Sequence, residues 1–206
     1  MGPPQAIKRY TPAEYYTLER AAEYKSDYFA GEIFAMAGGS TRHSLIKTNV
    51  SGSLWNRLRG KRCTPYDSDQ RLKINSNGLR CYPDAAVYCG PLEYDSEDGQ
   101  SETATNPTVI FEVLSKSTEA YDRGLKAEGY RTIESLKAYV LVSQDRPHVE
   151  IQERLPDGTW RLSWTAGLEG VVRLPEIEVE LPLSELYDRV DFAADTAPAP
   201  AAGTPA

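Results

Sequence analysis

Glu112 stands inside Thr108-Val109-Ile110-Phe111-Glu112-Val113-Leu114, a run whose β-branched and aromatic residues predict a strand covered on both faces. A lone carboxylate in such a strand is costly unless it is paired, protonated or bound to a cation. Asp84, which follows Pro83, is the first candidate neighbour. Proline lacks the N–H that a central ladder needs, so the chain should be at an edge or irregular there, leaving Asp84 at one end of the sheet. Two facing carboxylates repel, and a shared proton or a divalent cation relieves them. Mg²⁺ suits this role because it prefers oxygen ligands and is often held by one or two carboxylates plus substrate phosphates. Lys126, one helix beyond Glu112, has a route back to the same sheet end. An ammonium there can orient an attacking water or offset developing negative charge. Taken singly, Asp84 is a loop carboxylate and Lys126 an exposed helix pair with Asp122, worth about 0.3–0.5 kcal/mol. The buried setting of Glu112 turns the joint reading towards a site.

Several elements must position these residues. Thr11-Pro12-Ala13-Glu14 combines an N-cap Thr, a Pro at the first helical position and the Glu of a capping box, predicting a helix to about residue 22. Residues 25–29 and 32–37 flank Ala30-Gly31 and predict a hairpin. Within it Glu32 shares a face with Phe34 and Met36, an odd setting for a solvated carboxylate, although the adjacent turn gives it a way to water. A helix over 42–59 carries His43 at its start, where a capping role and a functional one are both open. Residues 70–74 and 79–89 flank a turn-rich linker and predict an antiparallel pair. Ser117 or Thr118 caps a helix reaching about residue 132, with Asp122, Lys126 and Tyr130 on one face. Ala138-Tyr139-Val140-Leu141-Val142 is a second apolar strand, and the helix between makes a right-handed parallel βαβ unit. Residues 148–155 and 160–165 form a hairpin, 171–181 is strand-like and 182–187 a short helix. His148 has no evident partner and reads as structural.

A chain of 206 residues with 40% hydrophobic content supports one domain, burying roughly 70% of the surface its unfolded form exposes. That domain spans 10–190, after a flexible N-terminus (1–9) and before an Ala/Pro-rich tail (193–206) expected to be disordered. No run approaches the roughly 18 apolar residues of a membrane span, so a soluble, cytoplasmic protein is expected. Cys63, Cys81 and Cys89 are odd in number with no Cys-x-x-Cys pair and read as free thiols. The net charge of −7 looks wrong for a nucleic-acid binder, yet the charges segregate. Arg57, Arg59, Lys61 and Arg62 cluster, with Arg71 and Lys73 soon after, while Glu93, Asp95, Glu97, Asp98 and Glu102 form an acidic block. The basic cluster fits either a solvated helix end or a patch that tracks phosphates.

At this point the motifs resemble a known pattern. Pro83-Asp84 and Glu112-Val113-Leu114 look like the core of the PD-(D/E)XK nuclease superfamily. More closely, Tyr28-Phe29-Ala30-Gly31-Glu32-Ile33, Met36, His43, Tyr82-Pro83-Asp84, Phe111-Glu112-Val113-Leu114-Ser115, Ser117-Thr118, Asp122-Arg123, Lys126, Tyr130-Arg131 and Tyr139-Val140-Leu141-Val142 resemble a multi-copy bacterial family of restriction-endonuclease-like proteins. The resemblance implies an α/β (α+β) fold with a mixed β-sheet core, flanking helices and an added C-terminal β-hairpin. It also implies that Asp84 and Glu112 ligate Mg²⁺ or Mn²⁺, with the Val113 carbonyl as a third ligand. Glu32 matches an additional N-terminal acidic position and His43 a position near the site. The chain departs from the superfamily's simplest pattern because Leu114 occupies the place of the Lys two residues after the Glu; the resemblance lets Lys126 supply that amine from the next helix. The implied function is metal-dependent hydrolysis of phosphodiester bonds in DNA, with Arg57, Arg59, Lys61 and Arg62 bringing in the backbone. A homodimer is expected for cutting both strands. The alternative is a catalytically incomplete nuclease-fold module for nucleic-acid or protein binding, which the acidic net charge favours.

Overall fold

The computed structural model describes residues 8–36 and 38–193. Residues 1–7, Ala37 at the end of the predicted hairpin, and the tail from residue 194 lie outside the described residues, so the expectations made for them stand where the sequence left them. Helix α1 (Pro12–Ala21) has the predicted capping box: the Thr11 hydroxyl accepts the Glu14 N–H, and the Glu14 carboxylate accepts the Thr11 N–H at 2.7 Å. Strands β1 (Ser26–Phe29) and β2 (Glu32–Ala35) pair antiparallel through Ala30-Gly31, whose φ values of 50° and 85° match the positive φ that a two-residue hairpin turn demands. Helix α2 (Thr41–Leu58) is capped by the Ser40 hydroxyl, which accepts the His43 N–H at 3.1 Å. Then come β3 (Cys63–Asp67), β4 (Arg71–Lys73), β5 (Arg80–Cys81), β6 (Ala85–Cys89), β7 (Thr103–Ala104) and β8 (Val109–Leu114). A broken helix follows: α3 (Glu119–Tyr121), a π-helical turn over Asp122–Lys126, and α4 (Ala127–Tyr130). The chain continues through β9 (Ala138–Ser143), the hairpin β10 (His148–Arg154) and β11 (Trp160–Ala166), the pair β12 (Val171–Leu174) and β13 (Val179–Pro182), and α5 (Leu183–Leu186).

The central sheet has the order β11-β10-β9-β8-β6-β3, with β8 and β9 parallel, as the predicted βαβ unit requires, and the other neighbours antiparallel. A smaller sheet, β2-β1-β5-β4-β7, lies beside it, so the fold is the mixed α+β architecture that the sequence implies. Alternation along β8 divides its six buried residues between two cores. Val109, Phe111 and Val113 join the core made with Ile46, Val50 and Leu54 of α2 and with the β12–β13 pair. Ile110 and Leu114 join Ala127 and Tyr130 of α4 and Leu72 and Cys81 of the smaller sheet. Glu112 is in phase with this second set, and therefore points towards the broken helix.

Three sequence readings change here. The strand-like stretch expected over 171–181 is the antiparallel pair β12 and β13, joined through a 3₁₀ turn at Pro175–Ile177. The single strand expected over 79–89 is two strands in different sheets, because β5 pairs with β4 and β1 while β6 pairs with β3 and β8. Tyr82-Pro83-Asp84 spans the crossing, where the missing proline N–H costs no ladder bond. The expectation of three free thiols is also corrected. Cys63 and Cys89 face each other in the β3–β6 register and form a disulfide, leaving the buried Cys81 free. Spacing along the chain carries no trace of that cross-strand juxtaposition. A bridge over 26 residues of sequence restricts the unfolded chain; in the loop-entropy account that is worth about 3–4 kcal/mol. Cys63→Ala with Cys89→Ala should therefore lower the melting temperature by about 5–15 °C in calorimetry; an unchanged transition would show that the bridge does not form in solution.

The acidic block serves the smaller sheet. Asp95 pairs with Lys73 at 2.7 Å and Arg80 at 3.0 Å and accepts the Tyr16 hydroxyl. Asp98 accepts the Glu102 and Thr103 N–H groups at 2.8 and 2.7 Å and pairs with Arg20. Each of these buried charges thus has its counterion, the condition under which burial is tolerated.

Candidate active site

Asp84 immediately precedes β6, and because Ala85 is the partner of Phe111, Asp84 comes to lie opposite Glu112. The side chains replace ladder bonds at this step. The Asp84 N–H donates to Glu112 Oε2 at 3.3 Å, and the Val113 N–H donates to Asp84 Oδ2 at 2.8 Å. Glu112 Oε1 accepts from Lys126 Nζ and from the Tyr130 hydroxyl, both at 2.9 Å. Lys126 also meets Asp122 Oδ1 at 3.1 Å. Glu112, Asp122 and Lys126 are all buried. The cation demanded by Glu112 is thus supplied internally, and Lys126 turns inward rather than forming a surface pair with Asp122.

Local sequence explains that turn. The helix is not uniform: Asp122–Lys126 form a π turn, a widening often found at functional sites, which faces both Asp122 and Lys126 into the core. The expected Thr118 side-chain cap is absent; instead the Ser115 hydroxyl accepts the Thr118 N–H at 3.2 Å.

His43 brings α2 to the same place, with Nε2 3.3 Å from Asp84 Oδ2. Only glycine fits behind it, since a Cβ on Gly39 would lie 2.7 Å from His43 Nδ1. Lys47, one turn on, approaches Asp84 Oδ1 at 3.9 Å and donates to the Ser68 hydroxyl at 3.2 Å. These groups line a cavity of about 1170 Å³ together with Lys25, Lys116 and Arg189 and with Asp145 and Asp191.

Other predicted residues are not gathered there. Glu32 pairs with Arg9 at 3.2 Å and does not line the cavity. Arg57 pairs with Glu185 at 2.7 Å, Lys61 donates to the Glu178 carbonyl at 3.1 Å, Arg59 stacks on Trp55, and Arg62 is exposed. All four stand at the C-terminal end of α2, about 20 Å along the helix from His43. His148, read as structural, lies beside Glu150 at 3.5 Å and outside the cavity.

Lys47 and Asp27 are among the cavity residues that escaped the sequence reading. Lys47 was within reach, four residues from His43 and so on the same helix face. Asp27 offered a weaker form of the signal that singled out Glu112, a carboxylate in a short strand just before Tyr28 and Phe29. It is buried, lines the cavity, and accepts the Tyr121 hydroxyl through Oδ2 at 3.1 Å.

Electrostatics follow from burial and neighbours. Burial pushes the Glu112 carboxyl up to about 8, against the attraction of Lys126, with Asp122 and Asp84 adding to the rise. Burial would depress Lys126, but Glu112 and Asp122 outweigh it and hold the ammonium well above its usual range. Burial also opposes ionisation of Asp84, yet its hydrogen bond and charge contact with His43, together with the Val113 N–H, keep its carboxyl low. The centre therefore holds on to positive charge. In chelator, the folded state keeps a proton on Glu112 between its ordinary value of 4.5 and about 8 that the unfolded state has lost. The stabilisation is full below that window and declines as pH rises through it. Melting temperature in chelator should fall from pH 5 to 8.5, and Mn²⁺ added at pH 8.5 should restore it. A flat chelator profile would mean that Glu112 is ionised throughout.

The donor set fits a hard divalent cation. Asp84 and Glu112 present oxygens across one register step, and Asp27 and Asp122, the latter with Oδ1 3.1 Å from Lys126 Nζ, add buried carboxylates to the same cavity. Among the described residues, no three acidic, His or Cys side chains converge into a ready-made cage, so an ion here would retain several waters, as Mg²⁺ does.

Comparisons with known proteins agree with this architecture. Residues 12–184 match the family described as "Putative restriction endonuclease" (Uma2). Uncharacterized protein slr1290 of Synechocystis sp. is 36% identical over 159 residues, covering 77% of this chain and 81% of the relative. Uncharacterized protein sll1609 of the same organism is 34% identical over 157 residues, covering 76% and 88%. A crystal structure from Anabaena variabilis, described as a putative nuclease, superposes with a TM-score of 0.65 at 14% identity, over 81% of this chain and 91% of that one, a likeness of fold. With Asp84, Glu112 and Lys126 meeting at the end of a mixed sheet, and with the match spanning nearly all the described residues, the chain belongs to the family of restriction-endonuclease-like proteins that carries this description.

Proposed function

We propose that this protein is a metal-dependent endonuclease that hydrolyses phosphodiester bonds in DNA. The observation that carries the reading is the inward Lys126, held 2.9 Å from Glu112 where Glu112 meets Asp84, inside a cavity that Lys25, Lys47, Lys116 and Arg189 also line. Asp84 and Glu112 would hold Mg²⁺ or Mn²⁺, with the Val113 carbonyl as a third ligand. The bound ion supplies Lewis-acid charge and makes its water a better nucleophile. Lys126 donates hydrogen bonds to the attacking water and offsets charge building on the phosphate. His43, at the cavity wall, donates to a phosphate oxygen or passes a proton to the leaving group. Lys47, Lys116 and Arg189 receive the backbone. Arg57, Arg59, Lys61 and Arg62 stand too far along α2 for that task, and Glu32 takes no part. A homodimer would present one cleft to each strand of a duplex.

The net charge of −7 favours a second reading, a module that binds without cutting. Incubating supercoiled plasmid with the native chain and with Glu112→Gln, in Mg²⁺ or Mn²⁺, separates the two. Nicking and linearisation by the native chain alone support the enzyme. Equal activity of the variant would expose a contaminant, and an inactive native chain that takes up no Mn²⁺ in calorimetry would leave the module.

A further inference from the structure

Three buried carboxylates in the cleft share one buried ammonium. Glu112 lines it from the central sheet, Asp122 and Lys126 from the π turn, and Asp27 from β1 of the smaller sheet. Asp27 is only 7% exposed, its Oδ2 accepts the Tyr121 hydroxyl, and its Oδ1 makes no full hydrogen bond. Burial pushes its carboxyl up, against the pull of Lys126, the Tyr121 hydroxyl and the Tyr82 N–H, so a nearer ammonium would relieve a group that burial leaves poorly served. Lys126 supplies the second half of the argument. Its ammonium sits on Glu112 Oε1, and an ammonium and a divalent ion repel each other at one carboxylate.

We propose that Asp27 is the acceptor to which Lys126 transfers when Glu112 takes a divalent cation, so that Asp27 tunes the site's hold on the ion by positioning Lys126 rather than by ligating. This inference rests on the metal-dependent reading above. A path exists for the transfer. Lys126 Nζ lies 5.3 Å from the centre of the Tyr121 ring, and the hydroxyl of that ring is bonded to Asp27. The ammonium can slide over the ring face, where cation–π attraction offsets part of what it gives up at Glu112. Its four-carbon stem permits the swing, and Asp122, four residues back on the same turn, serves as the pivot throughout.

Calorimetric titration of metal-stripped full-length protein with Mn²⁺ tests the idea through a double-mutant cycle. Asp27→Asn should weaken Mn²⁺ binding by about fivefold to fiftyfold in the native background, the range for charges in contact. In a Lys126→Met background the same change should alter affinity less than about twofold, because there is no ammonium left to receive. Equal losses in both backgrounds would mean that Asp27 acts on the ion directly, and no loss in the native background would remove its role; either result overturns the proposal. A crystal soaked in Mn²⁺ gives a check that does not depend on the variants folding. Lys126 Nζ should lie on Asp27 Oδ1 with Glu112 released to the ion, whereas Nζ still on Glu112 Oε1 contradicts the transfer. Asp84→Asn marks which idea has failed. If it abolishes Mn²⁺ binding while Asp27→Asn does nothing, only the transfer falls. If the native chain binds no Mn²⁺, or binds it regardless of Asp84, the metal-dependent reading and the transfer fall together.

Discussion

Glu112→Gln should lower plasmid cleavage by about 10²–10³-fold or more while leaving the protein at least as stable as before. The two effects part because the carboxylate is a liability to the fold. Burial raises its pKa to about 8, so ionising Glu112 is a cost that the folded state carries at alkaline pH. A neutral amide removes that cost. Its carbonyl oxygen can still accept from Lys126 and Tyr130, and Lys126 keeps Asp122 at 3.1 Å. The amide cannot accept the Asp84 N–H through its nitrogen, which is a smaller loss. Above pH 8 in chelator, the variant should melt at or above the native temperature, yet take up no Mn²⁺ and leave plasmid supercoiled. Such trade-offs are expected where function needs a group that the fold alone would not choose. Cleavage equal to native would sink the assignment of Glu112; a large fall in melting temperature would instead make the residue structural.

Lys126→Met should behave in the opposite sense on two of three measurements. Removing the ammonium leaves Glu112 and Asp122 buried without the cation they share, and breaking such a set typically costs about 3–5 kcal/mol. Well above pH 8 in chelator, where native Glu112 is ionised, the variant should therefore melt about 10 °C below the native chain. At pH 5, where Glu112 is protonated, the deficit should shrink. Mn²⁺ should bind more tightly than to the native protein, since the internal competitor for Glu112 is gone, and should recover much of the lost stability. Cleavage should nevertheless fall by about 10²–10³-fold, because the charge that would stabilise the transition state has left. Loss of cleavage with tighter ion binding separates Lys126 from Glu112, where both fall together. Native-level cleavage by Lys126→Met would make Lys126 a counterion with no chemical part.

Much of the frame was legible because it rests on local signals. The capping box at Thr11, the Ala30-Gly31 turn and the apolar runs of β8 and β9 each specify their element within a few residues, and all formed as predicted. The pairing of Asp84 with Glu112 was legible through Pro83, whose missing N–H placed the carboxylate at a sheet end. What escaped depends on partners distant in sequence or on weak patterns. Strand β3 contains Pro65 and lies at the sheet edge, and β7 has only two residues, so neither shows alternation long enough to recognise. Arg71 and Lys73 looked like part of a basic patch until Asp98 and Asp95 arrived from a separate segment to neutralise them. Asp27 and Glu32 sit on the two strands of one hairpin, both of which contribute residues to the cleft, yet Asp27 lines it and Glu32 does not. Hairpin periodicity leaves that choice open, because it is made by how the smaller sheet docks against the larger one.

The π turn at Asp122–Lys126 bears on how such a site tolerates a change in chain length. An α-helix advances each residue by about 100° around its axis. A π turn absorbs one extra residue while the helical turns on either side stay in phase. One residue deleted between Asp122 and Lys126 would let the segment wind regularly and leave the two residues three apart, still on one face. The buried pair would survive that loss, so this is a place where chain length can drift between relatives while the ammonium stays turned inward.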